Sequence, residues 1–180
     1  MDDPDARFEA AEPIAGPLPQ APPRRKPSNP RAPYHHALLT EHEEELALSI
    51  GQGLALIERS EADSPDALVR ALAGYIDAVS AGKRRLTEDP SDAALALGCA
   101  FGQQICRGLG FGWAHLRRTR MPGIVVISPD FRFVSGPRSV VDAALASGDG
   151  ELLVHHYAEL REALRAPAEP GFYRRVLRDG

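Results

Sequence analysis

The chain has 180 residues, 43% of them hydrophobic, and a formal net charge of −4. That size suits one ordinary domain plus a tail, and the acidic balance argues against a dedicated nucleic-acid binder, which is usually basic overall. No apolar run reaches the ~18 residues needed to cross a bilayer, and MDDPDARFEAAEP has neither the cationic nor the apolar stretch of a secretory signal, so a cytoplasmic protein is expected.

Residues 1–33 hold nine of the sixteen prolines. An acidic start gives way to PLPQAPPRRKPSNPRAP, a composition that buries too little apolar surface to offset ordering entropy. Residues 1–36 are therefore expected to be a disordered tail, with local polyproline II. Pro19 to Arg24 matches a PxxPxR ligand for aromatic grooves, a pattern that Pro/Arg-rich composition also produces without function.

Glu41 to Ser60 reads as the first helix, with acidic residues at its positive end and Leu46, Ile50, Leu54 and Ile57 as its inner stripe. Ser64-Pro65 is a strong helix start, followed by Leu68, Leu72, Ile76 and Val79 at helical spacing. Gly82 ends that helix. The cations Lys83 to Arg85 suit its negative end.

Asp89-Pro90 opens the segment around which the chain is organised. Ala93 to Gly102 has no polar side chain, and a helix apolar nearly all round is buried in a core. Leu95, Cys99, Gly102, Cys106 and Leu109 form its expected stripe, and Phe101 and Ile105 add a second stripe beside it. Ala94, Gly98, Gly102 and Cys106 add a ridge of small residues that lets another backbone approach. Cys99 and Cys106 would lie about 10 Å apart along one helix, too far for a disulfide. They read as reduced thiols acting as small hydrophobes.

Phe111 to Arg117 then reads as a strand led by Trp113. Gly123 to Ser128 reads as a β-branched strand covered on both faces, and Phe131 to Val134 as a third. Pro137 starts a fourth helix that ends at Gly148. Glu151 to Arg165 is a fifth, with Leu153, Tyr157, Leu160 and Leu164 facing inward. The predicted architecture is α+β: helices packed on a small three-stranded antiparallel sheet, with a buried central helix. The single domain spans 37–166, and 167–180 is a loose C-terminal segment.

Few residues suggest chemistry. Gly108-Leu-Gly110-Phe-Gly112 leaves a helix and enters a strand, the reverse of a dinucleotide loop, so it reads as a helix cap and turn. None of the six histidines has a metal-ligand spacing, and no metal or cofactor is expected. His115, Asp130 and Ser128 or Ser135 are the residues from which a triad might be drawn, but a nucleophile elbow is absent. Cys106, in an apolar stripe, has its thiol pKa raised rather than lowered. The compact cationic feature is the loop carrying Arg117, Arg118 and Arg120, which can grip phosphate or carboxylate groups.

The motifs L-G-x-x-x-G at Leu97 to Gly102, L-G-x-x-W at Leu109 to Trp113, S-P-D at Ser128 to Asp130 and the following Pro137 resemble bacterial DUF3806-like domains. The similarity covers roughly Ala67 to Leu164. It implies a small α+β fold and a bacterial cytoplasmic setting. No catalytic residue is carried over, and Gln103 stands where many relatives have an acid.

The function expected on these grounds is a non-enzymatic protein-binding module, an immunity or adaptor protein. Trp113, His115, Arg117, Arg118, Arg120 and Arg132 are its expected contact residues. Two alternatives are a small hydrolase or nucleotide-handling enzyme using His115 and Asp130, and weak nucleic-acid or phosphate binding by the Arg117–Arg120 loop.

Overall fold

In the computed structural model, proline is the first residue of three helices and a left-handed glycine closes two of them. These are α2 (Pro65–Ser80), α3 (Pro90–Leu109, closed by Gly110 at φ 74°) and α4 (Pro137–Ser147, closed by Gly148 at φ 70°). Proline suits a first helical turn because its missing N–H has no intrahelical partner there. Glycine reaches positive φ without steric cost. The remaining helices are α1 (Thr40–Leu56) and α5 (Glu151–Arg165). The structure describes residues 34–36, 40–86, 89–117, 123–130, 132–166 and 174–175. The chain separates into residues 1–30, which lie outside the described residues, and residues 31–180.

The chain forms an α+β fold. Strands β2 (Gly112–Arg117), β3 (Gly123–Ile127) and β4 (Phe133–Ser135) make the expected antiparallel meander. Two short edges extend it. β1 (Tyr34–His36) pairs antiparallel with β2, and β5 (Arg174–Arg175) pairs parallel with β4. The expected boundaries move accordingly: Tyr34–His36 leaves the tail, and Arg174–Arg175 leaves the C-terminal segment, to join the sheet. Runs of two or three residues carry no period-2 signal of their own. The open edges of the meander specify these pairings. The rest of the expected tail, residues 1–33, lies outside the described residues.

The third strand begins at Phe133, two residues later than its alternation suggests. Ser128 N–H donates to the Phe133 carbonyl at 3.0 Å, and Phe133 N–H donates to Ser128 Oγ at 2.9 Å. Pro129 and Asp130 between them form a turn.

The main core lies between the helices and one sheet face. Leu46, Ile50, Leu54 and Ile57 of α1 and its end, Leu68, Leu72 and Ile76 of α2, and Leu153 and Leu160 of α5 are all buried, as their spacings predict. In α3, Phe101 and Ile105 of the second stripe are completely enclosed, as is Leu97, and Cys99 and Gly102 of the first are buried, but the first stripe is corrected at Leu95, which is 39% exposed. With no polar residue between Ala93 and Gly102 to mark the outer face, spacing alone cannot orient this helix.

The small-residue ridge behaves as expected. A Cβ on Gly98 would fall 2.7 Å from Arg138 Cα of α4. One on Gly102 would overlap the Trp113 indole and the Pro137 ring. Side chains on the other sheet face, Ala114, Leu116, Val125, Ile127 and Val134, form a second, smaller cluster.

Three arginines join the elements through backbone carbonyls. Arg84 donates to the Leu56 carbonyl at 2.8 Å, at the end of α1 rather than of α2. Arg107 donates to the Glu61 carbonyl at 2.7 Å. Arg132 donates to the Ala166 carbonyl at 3.1 Å, beyond the last turn of α5. Cations are favoured where helix carbonyls lack partners.

Candidate functional site

Asp130 sits in the β3–β4 turn, and its carboxylate is filled from within. Oδ1 accepts from the Ser128 hydroxyl at 2.7 Å and the Arg132 backbone at 3.1 Å, and Oδ2 accepts from Arg132 Nε. Desolvation works to raise its carboxyl pKa, but the bonds from Ser128 and Arg132, together with the Arg132 charge, hold it below the ordinary value. A carboxylate fixed in this way shapes a turn.

His115 is elsewhere. It pairs in register with Ile124, whereas Asp130 follows Ile127 at the far end of β3. Three residues of strand put the two ends about 10 Å apart. The register thus separates His115 from Asp130 and Ser128. The other serine considered for a triad, Ser135, is completely buried on β4.

The structure instead gives Ser135 a different histidine. Ser135 Oγ and His156 Nε2 of α5 share a buried hydrogen bond of 2.7 Å. Burial pushes the His156 pKa down to about 4, against the opposing pull of Glu159, so the imidazole is neutral near pH 7. His156, exposed His155, Glu159 and Ser139 border a cleft of about 120 Å³ between α4 and α5. His156 reaches this cleft and Ser135 does not. A nucleophile must meet its substrate, so this pair is a satisfied polar contact within the core. Sequence reading missed it because the partners are 21 residues apart and belong to different elements.

Of the expected contact residues, Trp113 is half-buried against α3, its Nε1 donating to Gln103 Oε1 at 3.2 Å. Gln103 thus serves as an acceptor for the indole. Arg132 is engaged by Asp130 and the end of α5, and its guanidinium lies 5.2 Å over the Phe133 ring. His115 is half-buried and stacks on His42 of α1, with ring centroids 5.6 Å apart. Arg117 is the last residue of β2, and Arg118 and Arg120 lie outside the described residues. Both cysteines are free thiols; burial raises Cys99 to about 11, against the Ser49 hydroxyl and the Arg138 charge, and Cys106 to about 12. Neither is an activated nucleophile.

The outer face of α1 is different in kind. From Leu46 to Ile57 the sequence has no charge, yet Ala47, Leu48, Gly51, Gln52 and Ala55 are exposed. Leu48 is 65% exposed, and Leu95 of the adjoining α3 is the other large exposed apolar side chain among the described residues. Glu43, Glu44 and Glu45 border this face at its N-terminal end. Compared with family models, with curated proteins and with solved structures, the chain matches none.

Proposed function

We propose that this domain is a non-enzymatic protein-binding module that docks through the outer face of α1. The observation that carries this reading is the exposed, uncharged surface from Ala47 to Ala55, centred on Leu48. Surface helices normally carry charge on the solvent side, and interface centres are depleted of charge. The occupant that fits is an amphipathic helix of a partner protein. Its apolar side would meet Leu48 and Leu95, and its basic end would meet Glu43 to Glu45. Saturation of Asp130 and burial of Ser135 support the non-catalytic part of the reading. An immunity or adaptor role in the bacterial cytoplasm, and kinship with DUF3806-like domains, belong to the same proposal.

A photocrosslinker at position 48 in the full chain, with one at position 162 on α5 as control, tests the surface in cells. The proposal expects a partner captured from position 48 alone and lost from pull-downs of Leu48→Asp, whose melting temperature stays that of wild type. Retention by Leu48→Asp, or repeated recovery of the protein alone, would sink it. A crosslinked second copy of this chain would replace the heterologous partner with self-association.

A further inference from the structure

The cleft between α4 and α5 is built from two helix stripes. Leu152, His156 and Glu159 recur at i, i+4 and i+7 along α5 and so lie on one face. Val140 and Ala143 of α4 form the opposite wall. The space measures about 120 Å³ and opens to solvent at the exposed Ala143 and Glu159. A closed apolar cavity of about 150 Å³ takes up benzene, so the cleft is about the size of one small ring. It shares no residue with the outer face of α1.

One buried polar group is aimed into it. His156 is 8% exposed, and its Nε2 is used by Ser135. The other ring nitrogen, Nδ1, has no hydrogen-bond partner among the described residues, yet it is not sealed off. The sealed, unpartnered side-chain atoms among those residues are His42 Nδ1 and the Tyr157 hydroxyl. His156 Nδ1 therefore opens to the space that the ring borders, which is the cleft.

Ser135 decides what this nitrogen carries. It is completely buried, and its hydroxyl bonds to His156 alone among the described residues. If Nε2 held the proton of the neutral imidazole, the hydroxyl hydrogen would be buried without an acceptor, which is costly. Ser135 Oγ–H therefore donates to Nε2, and the ring carries its proton on Nδ1. The cleft thus presents an N–H donor from its floor and a carboxylate acceptor, Glu159, at its rim. Residues three apart on a helix have their Cβ atoms about 5–6 Å apart, a gap that one amide group bridges.

We propose that the cleft between α4 and α5 binds a small primary carboxamide with a flat apolar body. The amide oxygen accepts from His156 Nδ1, the amide nitrogen donates to Glu159, and the body lies against Val140, Ala143 and Leu152. A carboxylic acid would meet the Glu159 charge, and an amine would leave Nδ1–H without an acceptor.

Titration of the full chain with benzamide, followed by amide and imidazole NMR shifts, tests the site. The expected result is saturable binding at about 1–10 mM, ordinary for so small a probe, with shifts centred on α4 and α5. Affinity should fall about fivefold or more in Glu159→Ala, the worth of one hydrogen bond. Binding should vanish in Ala143→Phe, which fills the cleft from an exposed position. Glu162→Ala and Leu48→Asp should bind as wild type does, and benzoate and benzylamine should bind wild type about fivefold more weakly than benzamide. Melting curves establish that each variant folds, and where Ala143→Phe melts early Ala143→Leu is read instead. No saturation by about 50 mM benzamide would overturn the site, as would undiminished affinity in the filled variant. Undiminished affinity in Glu159→Ala, or equal or tighter binding of benzoate or benzylamine, would overturn the carboxamide as the ligand class. Long-range proton–nitrogen spectra, read against His156→Gln, should place the His156 proton on Nδ1; a proton on Nε2 would overturn the assigned donor.

Discussion

Two histidine contacts in this domain behave in opposite ways. His156 is enclosed, bonded to Ser135 at 2.7 Å, and held neutral by burial. His42 and His115 are half-buried, stacked on each other, and leave one buried nitrogen unpartnered. The difference lies in position. His156 faces inward from α5 near Phe101 of α3, their ring centroids 6.1 Å apart, and is buried enough that its polar nitrogen needs a fixed partner. His42 and His115 lie where α1 begins and β1 joins the sheet. Burial with a fixed partner turns one imidazole into a structural part, whereas the stacked pair keeps one buried nitrogen unpartnered.

The sealed region should respond to packing changes most strongly. Gly102→Leu places a side chain into the Trp113 indole and the Pro137 ring, and overpacking of this kind costs about 3 kcal/mol or more. Thermal denaturation measures it, and a melt within a degree of wild type would mean that α3 is not closely packed there. The acid response follows from His156. Its folded pKa of about 4 lies below the ordinary 6.5, so the unfolded chain takes up the proton first. Stability from this group is full above pH 6.5 and is lost as pH falls toward 4, by roughly 3 kcal/mol in all. Urea denaturation across that window should show the decline in wild type and a shallower one in His156→Gln. Equal slopes would remove His156 as the cause.

Smaller effects separate the two regions further. Ser135→Ala leaves a buried imidazole nitrogen without its partner, at a cost of about 1–3 kcal/mol. Urea denaturation at pH 7.5 is the measurement, and an unchanged midpoint would show that the bond contributes nothing net. His42→Ala, at the half-buried stacked pair, should change stability by less than about 1 kcal/mol, as substitutions at half-exposed positions usually do. A loss as large as that of Ser135→Ala would erase the contrast between the two sites.

Much of the helical layer was legible in the residues themselves. Pro65, Pro90 and Pro137 start helices, Gly110 and Gly148 close them, and the apolar spacings of the first, second and fifth helices name their buried faces. These signals are local: a fixed φ, a missing N–H, a tolerated left-handed turn, a period of 3.6 residues. The meander was equally readable, because its three strands follow one another in sequence with only five residues between each pair.

The candidate sites were not legible in this way. Leu95 looked inward on spacing and is 39% exposed, since a helix without polar markers has no outer face until its neighbours pack. Asp130 and His115 looked like partners until the register of β2 on β3 separated them. Ser135 found His156, and His42 found His115, across distances that no local pattern encodes. The sequence by itself determined the five helices and the three strands of the meander, because backbone chemistry and side-chain period act within a few residues. Which polar groups meet, and which are left without a partner, was decided by tertiary packing, because burial and proximity exist only once distant elements share one core.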